Sequence, residues 1–124
     1  RVTEVAERYP EMTAIANVQG DQPFVTADML TQLVTPYLQG ESPDMTTLAC
    51  PLHEESYNDP NAVKVLCDRR DRALYFSRSP IPYYRNAGSA PVFHHLGLYA
   101  FSRNFLAKYA QLTPTPLEHC EGLE

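Results

Sequence analysis

Apolar and polar positions along the chain fall into short stretches of two periods. Val2, Val5, Ala6 and Tyr9 recur at helical spacing and predict a helix already under way at the first residue. Met12 to Val18 is a short apolar run between turn residues, the pattern of a buried, parallel strand. Thr26 suits a helix cap, with Asp28 in the first turn, and Met29, Leu30, Leu33, Val34, Tyr37 and Leu38 form the apolar face that follows. Pro36 is expected to kink that helix or end it early. After a loop over 40–44, Met45 to Leu52 predicts a strand, and the polar stretch 53–61 a second loop.

Two β-rich runs, Ala62 to Cys67 and Ala73 to Ser77, flank Asp68-Arg69-Arg70-Asp71-Arg72. They predict an antiparallel hairpin with a charged, solvated tip that needs no function. Ser79-Pro80-Ile81-Pro82 is excluded from a central strand because prolines remove ladder donors. A loop over 86–91 leads to a strand over Val92 to Phe101. Ser102 then caps a helix carrying Phe105, Leu106, Tyr109 and Leu112 on one side. Thr115-Pro116-Leu117-Glu118 has the form of a capping box with proline at the first helical position. Intermixed strands and helices, with no internal repeat, place the chain in the α/β class.

Composition narrows the function classes. The 124 residues are 44% hydrophobic, enough for one compact core. No segment approaches the roughly 18 consecutive apolar residues of a membrane span, and no basic, apolar leader marks export. A formal net charge of −5 argues against a nucleic-acid groove, though a local Arg cluster can still hold a small anion. Cys50, Cys67 and Cys120 are odd in number and lack a C-x-x-C pair, which suits mostly buried thiols in a reducing, cytoplasmic compartment. The chain begins inside one helical pattern and stops just after another starts. It is therefore expected to be a single partial α/β domain, residues 1–124, from the interior of a longer protein.

Four polar clusters fall at element ends, where sites are commonly built. Gln19 and Asp21 follow the first strand across Gly20. In open α/β sheets ligands sit beyond the carboxyl ends of strands. An aspartate there suits a hard cation such as Mg²⁺, and it equally suits a turn. Arg78 leaves the hairpin with a planar fork of donors for a carboxylate or phosphate, or for a surface salt bridge. On the strand His94-His95-Leu96-Gly97-Leu98-Tyr99, alternation puts His95, Gly97 and Tyr99 on one face. If the leucines face the core, His95 and Tyr99 project into a cleft floored by glycine; a structural histidine is the alternative. Glu118, Glu121 and Glu124 lie along one side of the last helix, either as a solvated face or, for the later ones, as partners for a ligand hydroxyl. No G-x-S-x-G elbow, P-loop or H-E-x-x-H is present, so hydrolase and NTPase readings lack support.

In order along the chain stand Asn17-Val18-Gln19-Gly20-Asp21-Gln22-Pro23, Asp59-Pro60-Asn61-Ala62-Val63-Lys64-Val65, Ala73 to Pro82, His95-Leu96-Gly97-Leu98-Tyr99 and Pro116-Leu117-Glu118. Together they resemble the 3-deoxy-manno-octulosonate cytidylyltransferases (CMP-Kdo synthetases) over essentially the whole chain. The resemblance implies a Rossmann-like nucleotidyltransferase sheet with helices on both sides and a protruding antiparallel hairpin. It implies transfer of CMP from CTP to Kdo, an eight-carbon acidic sugar, for lipopolysaccharide biosynthesis, by a Mg²⁺-dependent cytoplasmic homodimer with no nucleic-acid partner and no membrane insertion. Asp21 would be the catalytic Mg²⁺ ligand. Gln19, His95 and Tyr99 would line the sugar pocket, Arg78 would pair with the sugar carboxylate, and Glu124 would bond a sugar hydroxyl. An 8-amino analogue of Kdo or a related ulosonic acid could replace Kdo, and a non-catalytic sugar-acid-binding or dimerisation module is the alternative from another class. The family's basic CTP-binding loop and a second metal-binding Asp are absent from these residues, so a polypeptide of these residues alone is expected to be inactive. Ser79 to Pro91, with Tyr83 and Tyr84, is the candidate subunit contact, or simply a loop.

Overall fold

Side-chain oxygens set three of the helix starts. The computed structural model describes residues 2–20, 22–86 and 91–123. In chain order these form α1 (Val2–Glu7), β1 (Ala14–Asn17), α2 (Ala27–Leu38), β2 (Met45–Pro51), a 3₁₀ turn over Glu54–Ser56, β3 (Lys64–Cys67), β4 (Ala73–Ser77), β5 (Phe93–Ser102), α3 (Arg103–Tyr109) and α4 (Pro116–Glu121). Thr26 Oγ1 accepts from the Met29 N–H at 3.2 Å, and Ser102 Oγ accepts from Phe105 at 3.2 Å. Thr115 and Glu118 form a reciprocal capping box with Pro116 in the first turn. All three caps are as expected. Pro36 lies inside α2 without ending it early, because it occupies the last turn, where the missing N–H costs one bond before the helix stops at Leu38. Leu112 falls beyond α3 and is 64% exposed, so the apolar face expected for that helix ends at Tyr109.

Packing groups the chain into two compact units, Arg1–Leu48 with Gly97–Thr113, and Ala49–Leu96 with Pro114–Glu124. In the first, β1 runs antiparallel to the latter part of β5, pairing Ala14 with Ser102 and Asn17 with Tyr99. The parallel strand expected from the apolar run over 12–18 is thus corrected. A continuous apolar run reports burial on both faces and carries no information about direction. Both faces of β5 are indeed covered in this unit. Leu98 and Ala100, fully buried, pack with Leu33 of α2, while Phe101 packs with Ala6 of α1 and Leu106 of α3. Helices therefore flank the strand on both sides, as expected. Half-buried polar side chains tie the layers: Tyr37 donates to the Ala100 carbonyl at 3.0 Å, Thr47 Oγ1 to Leu98 at 2.8 Å and Thr46 Oγ1 to Leu33 at 2.8 Å. Arg103, at the start of α3, donates to the carbonyls of Ala6 (2.6 Å), Met12 (2.8 Å) and Tyr9, tying the end of α1 and the turn that follows it to α3.

In the second unit β3 pairs antiparallel with β4 (Lys64 with Ser77, Val65 with Phe76) and with the start of β5 (Lys64 with His94, Val65 with Phe93). The expected hairpin is present, with an irregularity between Leu66 and Cys67. Its tip is self-contained. Asp68 accepts from the Arg70 and Arg72 N–H groups and pairs with the Arg72 guanidinium at 2.7 Å, and Asp71 takes a positive φ of 57°. Cys50 and Cys67 are half-buried, but Cys120 is exposed, against the expectation of burial, because it lies on a helix with no buried residue. Among the described residues no helix is long and apolar enough to cross a membrane.

Candidate functional site

Gln19 follows β1 in the first unit. It is exposed, and its carbonyl accepts from the Gln22 N–H at 3.2 Å, closing a turn. The Gln22 side chain lies over Gly97 of β5, where an added Cβ would meet its Nε2 at 3.7 Å. That is ordinary contact distance, so Gly97 leaves room without being required. Tyr99 stands opposite Asn17, the last residue of β1. Its ring stacks on Phe101 at 6.1 Å and packs against the Ala6–Phe101–Leu106 cluster. The face that was to open as a cleft is thus in part a second core layer, because α1 and α3 cover it. Asp21 and Glu124, the expected metal ligand and sugar contact, lie outside the described residues.

His95 and Arg78 belong to the second unit. The His95 N–H donates to the Val63 carbonyl at 2.9 Å, and its ring meets Phe76 edge-on at 4.8 Å. Burial, and secondarily the neighbouring His94, lowers its pKa below the usual histidine value, so the imidazole is neutral at pH 7. A neutral ring offers one donor and one acceptor, the complement of a hydroxyl.

Arg78 is held on every side. Its Nε donates to the Glu121 carbonyl at 2.8 Å, Nη1 to Pro60 at 3.0 Å and Nη2 to Gly122 at 3.3 Å. Gly122 makes this possible. It closes α4 in the left-handed conformation (φ 59°, ψ 41°), turning the last carbonyls outward at the negative end of the helix. A guanidinium has five N–H donors, so one on each terminal nitrogen is uncommitted among the described residues. Two such donors suffice for a carboxylate.

Two residues of this cluster were missed from sequence. Glu121, read there as part of a solvated helix face or as a partner for a ligand hydroxyl, accepts instead from Ser77 Oγ at 2.6 Å, the Arg78 N–H at 3.0 Å and Tyr75 Oη at 3.2 Å. The Ser77 hydroxyl, then the Arg78 N–H, hold its carboxyl below the ordinary glutamate pKa. Lys64 is wholly buried, and its Nζ donates to the Arg78 carbonyl at 2.7 Å and to that of Asp59 at 2.8 Å. Burial lowers its pKa, opposed by the charges of Asp59 and Glu121. The signal for Lys64 was present: a single charge within Ala62-Val63-Lys64-Val65-Leu66-Cys67, at a strand position that pairs on both edges. Glu121 had no such mark.

The structure thus groups Arg78 with Lys64 and Glu121 in one unit, places His95 on Phe76 in the same unit, and sets Gln19 and Tyr99 in the other. Among the described residues no group of three or more His, Cys, Asp or Glu side chains could hold a metal ion.

Comparison with known proteins gives this geometry its context. A chain named 3-deoxy-manno-octulosonate cytidylyltransferase from Acaryochloris marina is 66% identical over 125 residues, covering 100% of this chain and 51% of its own length. The protein of the same name from Synechococcus elongatus is 58% identical, covering 100% and 52%. A solved structure described as CMP:2-keto-3-deoxy-manno-octonic acid synthetase complexed with CTP matches with a TM-score of 0.90 and 36% identity, over 98% of this chain and 50% of that one. It bears out the α/β class. The chain spans about half the length of the curated relatives it matches. The family model described as Cytidylyltransferase matches residues 1–124, and the chain belongs to the cytidylyltransferase family.

Proposed function

We propose that the chain is part of a cytidylyltransferase that transfers CMP from CTP to the anomeric hydroxyl of Kdo, in service of lipopolysaccharide synthesis. The observation that carries this reading is the 66% identity, over the whole chain, to a relative named for that reaction. In the reaction the hydroxyl oxygen bonds to the α-phosphorus, the bond to the β-phosphate breaks, pyrophosphate leaves and the hydroxyl proton is released.

The residues suit their share of that chemistry. Arg78 offers two donors to the sugar carboxylate, and the neutral His95 suits a hydroxyl. Gln19, Tyr99 and Glu124 complete the proposed set of sugar contacts. Asp21, with the exposed Gln19 two positions before it, is the proposed Mg²⁺ ligand. One carboxylate with water and phosphate oxygens is a donor set that Mg²⁺ commonly takes. Bound there, the ion would supply charge neutralisation at the triphosphate. The proposal extends to a cytoplasmic homodimer, with Tyr83, 89% exposed, as the centre of the subunit contact. Sedimentation of a monomer at micromolar concentration would count against that contact.

The natural full-length protein, given CTP, Mg²⁺ and Kdo, is expected to release pyrophosphate in proportion to Kdo consumed. Release that is indifferent to Kdo would overturn the assignment.

A further inference from the structure

We propose that Glu121 and Lys64 are positioning residues for Arg78, fixing where its guanidinium meets a ligand carboxylate; this rests on the reading of Arg78 given above. The main chain of Arg78 is gripped at both ends by charged groups. Its N–H donates to Glu121 Oε2 at 3.0 Å, and its carbonyl accepts from Lys64 Nζ at 2.7 Å. Neither grip is a general feature of a strand end, where water or the next strand normally completes the ladder.

Each of the two residues also sets an acceptor that the guanidinium uses. The Glu121 main-chain oxygen takes the Arg78 Nε–H, while its carboxylate is fixed by Ser77 and Tyr75. Lys64 spends its other bond on the Asp59 carbonyl, one residue before the Pro60 carbonyl that takes Nη1. The fork is therefore aimed through two contacts, with α4 and with the loop before β3. Lys64 and Glu121 each hold one of these surfaces to residue 78 itself. Lys64 is 0% exposed and so touches no ligand from solvent. Its effect on binding passes through Arg78.

A double-mutant cycle tests this in the natural full-length protein. Kdo and CTP affinities are measured by calorimetry for Glu121→Gln, Lys64→Met and Arg78→Met, and for each of the first two combined with Arg78→Met. Protection of the Arg78 Nε–H against exchange is followed by NMR. Glu121→Gln and Lys64→Met are each expected to weaken Kdo binding about tenfold, to leave CTP binding within about twofold and to expose the Nε–H. In the Arg78→Met background neither should weaken Kdo binding further. Equal losses with and without Arg78, or an Nε–H still protected in both variants, would overturn the proposal. So would a lowered melting temperature with Kdo affinity unchanged, which is the result of a purely structural role. If Lys64→Met does not fold, Glu121→Gln decides. If Arg78→Met leaves Kdo affinity intact, the reading of Arg78 as a carboxylate anchor fails, and Nε–H protection alone then decides whether the two residues position it.

Discussion

Replacing Lys64 by Met asks whether a buried ammonium helps or harms the fold. The side chain is wholly buried, and methionine is close to it in length and volume, so the change removes the charge and its donors with little cavity. The Arg78 carbonyl loses its Nζ–H donor and is left without a partner among the described residues, a loss of about 1.5–3 kcal/mol for a bond to a charged group. The Asp59 carbonyl keeps the Ala62 N–H at 3.2 Å, so its loss is smaller, about 0.5–1.5 kcal/mol. Against these stand the relief of the ammonium's desolvation and burial of an apolar tip, about 1 kcal/mol or a little more. The balance is a destabilisation of about 1–3 kcal/mol, seen as a lower urea midpoint with unchanged slope. The sign of the pH dependence follows from the lowered pKa. Between its folded value and the ordinary 10.5 the unfolded state holds more protons, so the native protein gains stability as pH rises through that window. The gap between wild type and Lys64→Met should therefore widen from pH 7 toward pH 10. A variant equal to or more stable than wild type at both pH values would refute the reasoning, showing that the ammonium is a net cost.

Other expectations follow from single features. Leu33→Ala, at 1% exposure against Leu98 and Ala100, should cost about 2–5 kcal/mol in urea unfolding. Gly122→Ala meets no atom within 4 Å but must adopt φ 59°, and should lower stability by about 1 kcal/mol through backbone conformation alone. Asp71→Val, at φ 57°, should cost about 1–3 kcal/mol because a β-branched residue tolerates that region poorly. Glu121 has its folded pKa below the ordinary 4.5, so its contribution is complete above that value and is lost as pH falls through the lower one. Acid unfolding of Glu121→Gln should be less steep there, and an unchanged profile would show that the carboxylate contributes nothing.

The local devices of this fold were open to reading because each is written in neighbouring residues. Thr26, Ser102 and the Thr115–Glu118 box announce helix starts, and the charged run 68–72 announces a hairpin tip. Strand direction was not legible, since β1 looks the same whichever way its partner runs. Tyr99 was read as a cleft residue because alternation assigns faces without saying that α1 and α3 cover the second one. The site shows the same division. Arg78 stands at a strand end and invites notice. Glu121 is 43 residues from the N–H it accepts, and where Glu118 is marked by its capping box, nothing near Glu121 in sequence points to that contact.

The Arg103 guanidinium has a consequence for how this part of the fold opens. Its contacts with the Ala6 and Tyr9 carbonyls join the end of α1 and the turn after it to the start of α3, across 97 and 94 residues of sequence. One side chain thus ties two distant segments into a single cooperative unit, so that fraying of either loosens both.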